Sequence, residues 1–456
     1  MKKKIFIIGI GTFGMLFILS ILFFKERTIF TDAAFHLFYL VNEGKFQVQH
    51  HRFVAIFTQI FPIIGIKLHL SLATIAQLYS TSFILLYTLC FLVLYKWIKN
   101  ERLAIAYLLF NILITTHSFY WMLSEMLQGI VFLFLSFAVL ENRLISKTTN
   151  KFDFPLLSIC TFIFAFSHPL IIFPFAFLLL FFMLQYPNKK LFLYYYCLPF
   201  IFIYLIKSQF INAEYDNNAM KGIQNFIILF PNYFNIQSNI NFFHYLFKDY
   251  YFLIILFILN IYVYIKTDKK LKLILLLGFS IGFLFLVNVS YQSGGEQFYM
   301  ESQYLLLALF LVIPFVYDYL PILSNEKLKQ VTIAVICLVG IIRIYNNHYN
   351  YSARLTWNKR FISKTENLPN KKLIVSSKKV PSKKLMMTWA SSYEFLLLSA
   401  MENQISRSII IVDNENELDW ALANNHCFIA KWGIFDYAEL NSRYFRIEDN
   451  TFYKKY

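Results

Sequence analysis

The chain has 456 residues, 58% of them hydrophobic and 20% aromatic, and only 15% charged, against roughly 25% charged in soluble domains. With 53 Phe and 31 Tyr against 13 Gly and a mean hydropathy of +0.54, it is too apolar for one soluble core, since such cores stop growing near about 250–300 residues. Disorder, a collagen repeat and a disulfide scaffold are excluded by the same numbers, and a multi-pass membrane protein remains. The net charge of +16 does not point to nucleic acid. Of the 42 Lys and Arg, 16 follow residue 346 beside 11 acids, and the rest lie in short loops or at the ends of apolar runs, where they report topology. Cys90, Cys160, Cys197, Cys337 and Cys427 form no CxxC pair, so neither a zinc site nor a disulfide framework is indicated.

In chain order, Lys2-Lys3-Lys4 and a run of about twenty apolar residues ending at Phe24 read as an uncleaved signal anchor. A crossing needs about 20 apolar residues. The pattern predicts about 11 transmembrane helices, at 5–24, 71–95, 103–117, 121–140, 154–167, 169–186, 191–206, 251–265, 272–289, 304–320 and 330–346. With the N-terminus cytoplasmic, the inner loops hold 17 basic residues and the longer outer loops eight, as the positive-inside rule requires. Residues 1–346 are therefore expected to form a multi-pass domain with outer loops 25–70 and 207–250. Phe53 to Ile66 is apolar but only 14 residues long and contains Pro62, which fits an interfacial or re-entrant helix. The 207–250 loop, mixing Asn, Tyr and Phe, fits short interfacial helices. Residues 347–456 read as a small extracytoplasmic α/β domain. Its expected strands are 372–377, 408–412 and 427–430, its helices 386–401 and 417–424, and its final hairpin turns at Asp449-Asn450. Scarce Gly with abundant Lys, Asn, Ile and Phe fits an AT-rich bacterial genome and a cytoplasmic (inner) membrane.

Two expected spans are short and reach histidines, His117 and His168-Pro169, on the same side. Thirteen or fourteen residues rise only about 20 Å, so their ends should sit below the membrane surface, against protein or a wet cavity. The first outer loop opens Thr31-Asp32-Ala-Ala-Phe-His36 and continues to His50-His51-Arg52. Asp32 and His36 share one helical face. An acid, three histidines and an arginine beside a funnel suit general-base catalysis with phosphate binding; a solvated loop with Asp32 as N-cap is the alternative. Glu125 opens an apolar helix, where a carboxylate is a functional candidate unless interfacial water reaches it. The loop Tyr291 to Glu301, with Gly294-Gly295 and Glu296, is either a plain turn or the lining of a sugar or lipid site.

Asp32 at the start of the first outer loop, Glu125 at the outer end of a later span and His168-Pro169 together resemble the GT-C superfamily of integral membrane glycosyltransferases. The architecture resembles it over the whole chain. Many members carry paired acids in the first loop, and this chain has Asp32 alone there. The resemblance implies Asp32 as catalytic base, with Arg52 and His50 or His51 on the departing phosphate. It also implies a polyprenyl-phosphate-linked sugar as donor, held in the bilayer by aromatic spans, and a glycan, lipid or protein acceptor. No cofactor follows from it, and a divalent metal stays open. His36, Glu125, His168 and Glu296 complete the candidate substrate-binding set. Three other readings stand beside it: a polysaccharide polymerase or ligase, a transporter of lipid-linked material, and a non-catalytic subunit of a membrane complex docking through 347–456.

Overall fold

A computed structural model describes residues 2–145, 151–210, 221–366, 368, 370–403, 405–447 and 451–456. The described chain is mostly helical with a small sheet region near its C-terminus. Six helices are long and apolar enough to cross a membrane: Lys3–Leu22, Leu72–Trp97, Glu125–Ile145, Lys270–Ser290, Gln297–Ile322 and Glu326–Thr365. Their apolar side chains outnumber what one another's packing can bury. Only 39% of the Lys3–Leu22 and Lys270–Ser290 windows is buried, against 83% for Glu125–Ile145 and Gln297–Ile322. The former are peripheral helices that suit contact with lipid, and the latter form the centre of the bundle.

The other five expected spans are also helical, and four of them are shorter or bent. Glu101–Leu113 and Asp153–Ala165 have 13 residues each, Ile172–Gln185 has 14, and Lys190–Phe210 has 21 with Pro199 inside it. Tyr251–Lys266 has 16 and meets Gln237–Lys248 at a bend of 86°. Thirteen residues rise about 20 Å, well short of the hydrocarbon thickness, so among the described residues length and composition support six crossings, or seven if the bent pair counts as one span. Phe53–Lys67 is likewise a shorter helix. In the second long loop, Gln237–Lys248 is amphipathic in sequence, and Ile227, Phe234 and Phe247 are exposed beside it. Residues 211–220 of that loop and the expected turn at 449–450 lie outside the described residues.

The boundary expected at 346 falls inside one uninterrupted helix. Glu326–Thr365 runs for 40 residues, about 60 Å, because the sequence turns polar there without a Pro, and its last Gly, Gly340, is buried against Ile112. Beyond it, β1 (Lys372–Ser376) pairs in parallel with β2 (Ser408–Val412) and with the two-residue β5 (Lys454–Lys455), in the order β2-β1-β5. The expected third strand does not join this sheet. As β3 (Cys427–Ala430) it forms a separate antiparallel hairpin with β4 (Gly433–Asp436). The helix expected over 386–401 begins at Ser391, and the segment Glu415–Ala423 is 3-10 rather than α.

Helix Thr31–Glu43 of the first loop completes the core of this C-terminal unit. Phe38 is fully buried and its ring lies 5.1 Å from Tyr393, 5.6 Å from Phe428, 5.1 Å from Phe435 and 5.4 Å from Phe445. Such a five-ring cluster is worth more than its buried area alone. It ties the loop that carries Asp32 to the C-terminal unit.

Candidate functional site

A cavity of about 1080 Å³ lies where the helical bundle meets the C-terminal unit. Asp32, His36, His50, Arg52, Glu125 and His168 all line it. They come from four separate segments. Asp32 and His36 sit one turn apart on helix Thr31–Glu43. His50 and Arg52 come from the loop after it. Glu125 is the first residue of helix Glu125–Ile145, where the helix dipole favours a carboxylate. His168 caps the 3-10 turn Pro169–Ile171, its Nδ1 accepting the Leu170 N–H at 3.1 Å, which puts the ring proton on Nε2.

Asp32 accepts a hydrogen bond from the Trp121 indole N–H at 2.8 Å. Burial, helped by the Glu125 charge and opposed by that indole, pushes its carboxyl up to about 6. Burial holds His36 down to about 4, so at neutral pH its imidazole is uncharged. Its Nδ1 is buried and has no hydrogen-bond partner among the described residues. Arg52 donates to the Glu125 carboxylate at 3.1 Å, with both side chains mostly buried. This pair fixes a guanidinium on the cavity wall with its charge matched by one carboxylate. The arrangement offers a base of near-neutral pKa, a neutral imidazole and a positioned cation, which together can move a proton and hold an anion.

Two of the expected site residues lie elsewhere. His51 points away and is exposed beside Phe53. Glu296 is the exposed N-cap of helix Gln297–Pro314 and does not line the cavity; its neighbours Phe298 and Tyr299 do. His117 is buried in a different place, its Nδ1 2.9 Å from the Asn347 amide, beside a smaller cavity of about 500 Å³. Glu301, just over one turn into helix Gln297–Pro314, is buried completely and accepts N–H bonds from Thr116, His117 and Ser118.

Three groups of site residues were not read from the sequence. Trp121 carries the hydrogen bond to Asp32. Arg354 and Glu394 form a buried ion pair that anchors the start of helix Thr31–Glu43. Arg354 donates to the Ile29 carbonyl at 2.9 Å, and Glu394 accepts the Thr31 N–H at 2.8 Å. Trp389 and Trp432 line the cavity from the C-terminal unit. All five lie more than 80 positions from Asp32 in sequence, so no local pattern connects them to it. Among the described residues no three His, Cys, Asp or Glu side chains converge as a metal-ligand set. The chain matches no protein-family model, no curated protein and no solved structure.

Proposed function

We propose that the chain is a membrane glycosyltransferase that moves a sugar from a polyprenyl-phosphate donor to an extracytoplasmic acceptor in a single displacement. The observation that carries this reading is the convergence of Asp32, Arg52, Glu125 and His168 on one cavity. Asp32 takes the proton of the acceptor hydroxyl as its oxygen forms the bond to the anomeric carbon. The bond from that carbon to the phosphate oxygen breaks, and the electron pair leaves with the phosphate. Arg52, oriented by Glu125, meets the growing negative charge with charge-assisted hydrogen bonds. A carboxyl near 6 suits the base, because an efficient general base has a pKa close to the working pH. One displacement without a covalent sugar intermediate inverts the anomeric centre.

The proposal includes the topology that delivers such a donor: N-terminus in the cytoplasm, C-terminal unit outside a bacterial cytoplasmic membrane, and the shorter helices completing eleven crossings. The cavity has an apolar flank in Phe173, Ile223 and Leu286, which suits a prenyl chain entering from the bilayer. The deciding experiment is transfer from a polyprenyl-linked donor by the Asp32→Asn variant. Loss of transfer with normal membrane insertion supports the reading. Full activity removes Asp32 as the base and sinks the mechanism, and no transfer by the wild type leaves a non-catalytic subunit as the better account.

A further inference from the structure

Eight non-glycine residues among those described have positive φ: Thr31, His50, His51, His69, Lys99, Asp268, Met386 and Trp432. Two of them line the cavity and three more sit directly before residues that do. His50 and Trp432 line it, and Thr31, His51 and Met386 each precede a residue that does, namely Asp32, Arg52 and Met387. Backbone strain of this kind concentrates at functional sites, where the rest of the fold holds it in place.

Trp432 is the most costly of these placements. Ala430 pairs with Gly433 across the hairpin, so Lys431 and Trp432 are the two turn residues, and Trp432 has φ of 68°. Glycine or asparagine is the ordinary occupant of such a position. A bulky aromatic there is a true outlier. The indole is also 69% exposed, so burial in a core does not explain it. What the strained turn achieves is to hold the ring at the cavity mouth. It stands 4.8 Å from Trp389 and 5.9 Å from Phe35, the latter edge to face. Gln49 and His50 line the same cavity.

We propose that Trp432, Trp389 and Phe35 form a stacking shelf for a sugar ring of a saccharide acceptor, at the C-terminal end of the cavity. The C–H face of a pyranose carries partial positive charge and packs on the electron-rich face of an indole. Gln49 lines the same cavity and offers its amide to the ring's hydroxyls. A hydrocarbon chain there would desolvate that amide, whereas Phe173 and Leu286 supply the cavity with an apolar flank for such a chain. The word acceptor rests on the glycosyltransferase reading, whereas the shelf is a binding site in its own right.

The test uses the full chain in nanodiscs prepared free of maltoside detergent, titrated calorimetrically with maltotetraose, cellotetraose and chitotetraose. At least one of the three should bind saturably to the wild type. Trp432→Gly should weaken that binding about tenfold or more, the scale of losing one aromatic stacking partner, while its melting temperature stays the same or rises because the turn is relieved. Trp432→Tyr should retain most of the affinity. The proposal is overturned if none of the three oligosaccharides binds, if Trp432→Gly binds like the wild type, or if its affinity falls only in step with lost stability. The two readings fail separately. A Trp432→Gly variant that loses oligosaccharide while Asp32→Asn keeps full transfer leaves the shelf and removes the mechanism. The opposite pair of results removes the shelf alone.

Discussion

Two buried carboxylates in this protein have opposite surroundings. Glu301 accepts five hydrogen bonds: from the Thr116, His117 and Ser118 N–H groups, from the Ser118 hydroxyl, and from the Tyr250 hydroxyl. It is wholly buried and ties the end of helix Glu101–Leu113 to helix Gln297–Pro314. Asp32 has the Trp121 indole and a cavity. A carboxylate saturated by donors is a structural joint, because every lone pair already has its partner. One that is desolvated and left facing open space keeps its affinity for a proton, which is what a base requires.

The comparison can be broken in four ways. The largest effect belongs to Asp32→Asn, which keeps the hydrogen bond to Trp121 and removes basicity. Transfer should fall by about 10²–10⁴ with the protein still folded and inserted, and retained activity would make Asp32 no more than a second joint. Glu301→Ala comes next and acts on stability instead. Stranding several buried donors should cost about 3–5 kcal/mol, read as a large drop in melting temperature in nanodiscs. An unchanged melting curve would show that the Glu301 hydrogen bonds do not hold the helices together.

The third test concerns pH. The Asp32 carboxyl is raised in the fold from 3.8 to about 6, so between about pH 4 and 6 the folded state binds a proton that the unfolded chain releases. Stability conferred on this account is present below pH 4 and is lost as pH rises through about 6. Asp32→Asn should therefore be the more stable protein at pH 8, by up to about 3 kcal/mol, with the difference vanishing near pH 4. A constant difference across that range contradicts the raised carboxyl. The rate of transfer should likewise climb with pH and level off above about 6. The smallest effect is expected for Arg52→Lys. It keeps a charge beside Glu125 but loses the planar fork that grips a phosphate. The kcat should fall about tenfold, with the KM for the donor rising as well; a change confined to KM would move Arg52 out of leaving-group stabilisation.

Much of this molecule is determined by its linear sequence. Long apolar runs must become helices, because backbone groups away from water have to bond within the segment, and strands β1, β2 and β3 stand where short continuous apolar runs between polar turns place them. Asp32, His36, Arg52, Glu125 and His168 were legible as candidates because charged or ionisable residues are conspicuous against so apolar a background. Their assembly was not legible. Whether Glu296 or its neighbour Glu301 is buried depends on which way one helical turn faces, and the sequence pattern around them is the same. That β3 pairs with β4 rather than with β1 is a choice between edges, made by the fold's other contacts. Trp121, 89 positions from Asp32, and Arg354, Glu394, Trp389 and Trp432, more than 300 positions from it, approach the Asp32 loop only after the chain has folded back on itself. Side-chain chemistry is written locally, but which donors reach which carboxylate, and which one is left facing a cavity, is decided by long-range packing alone.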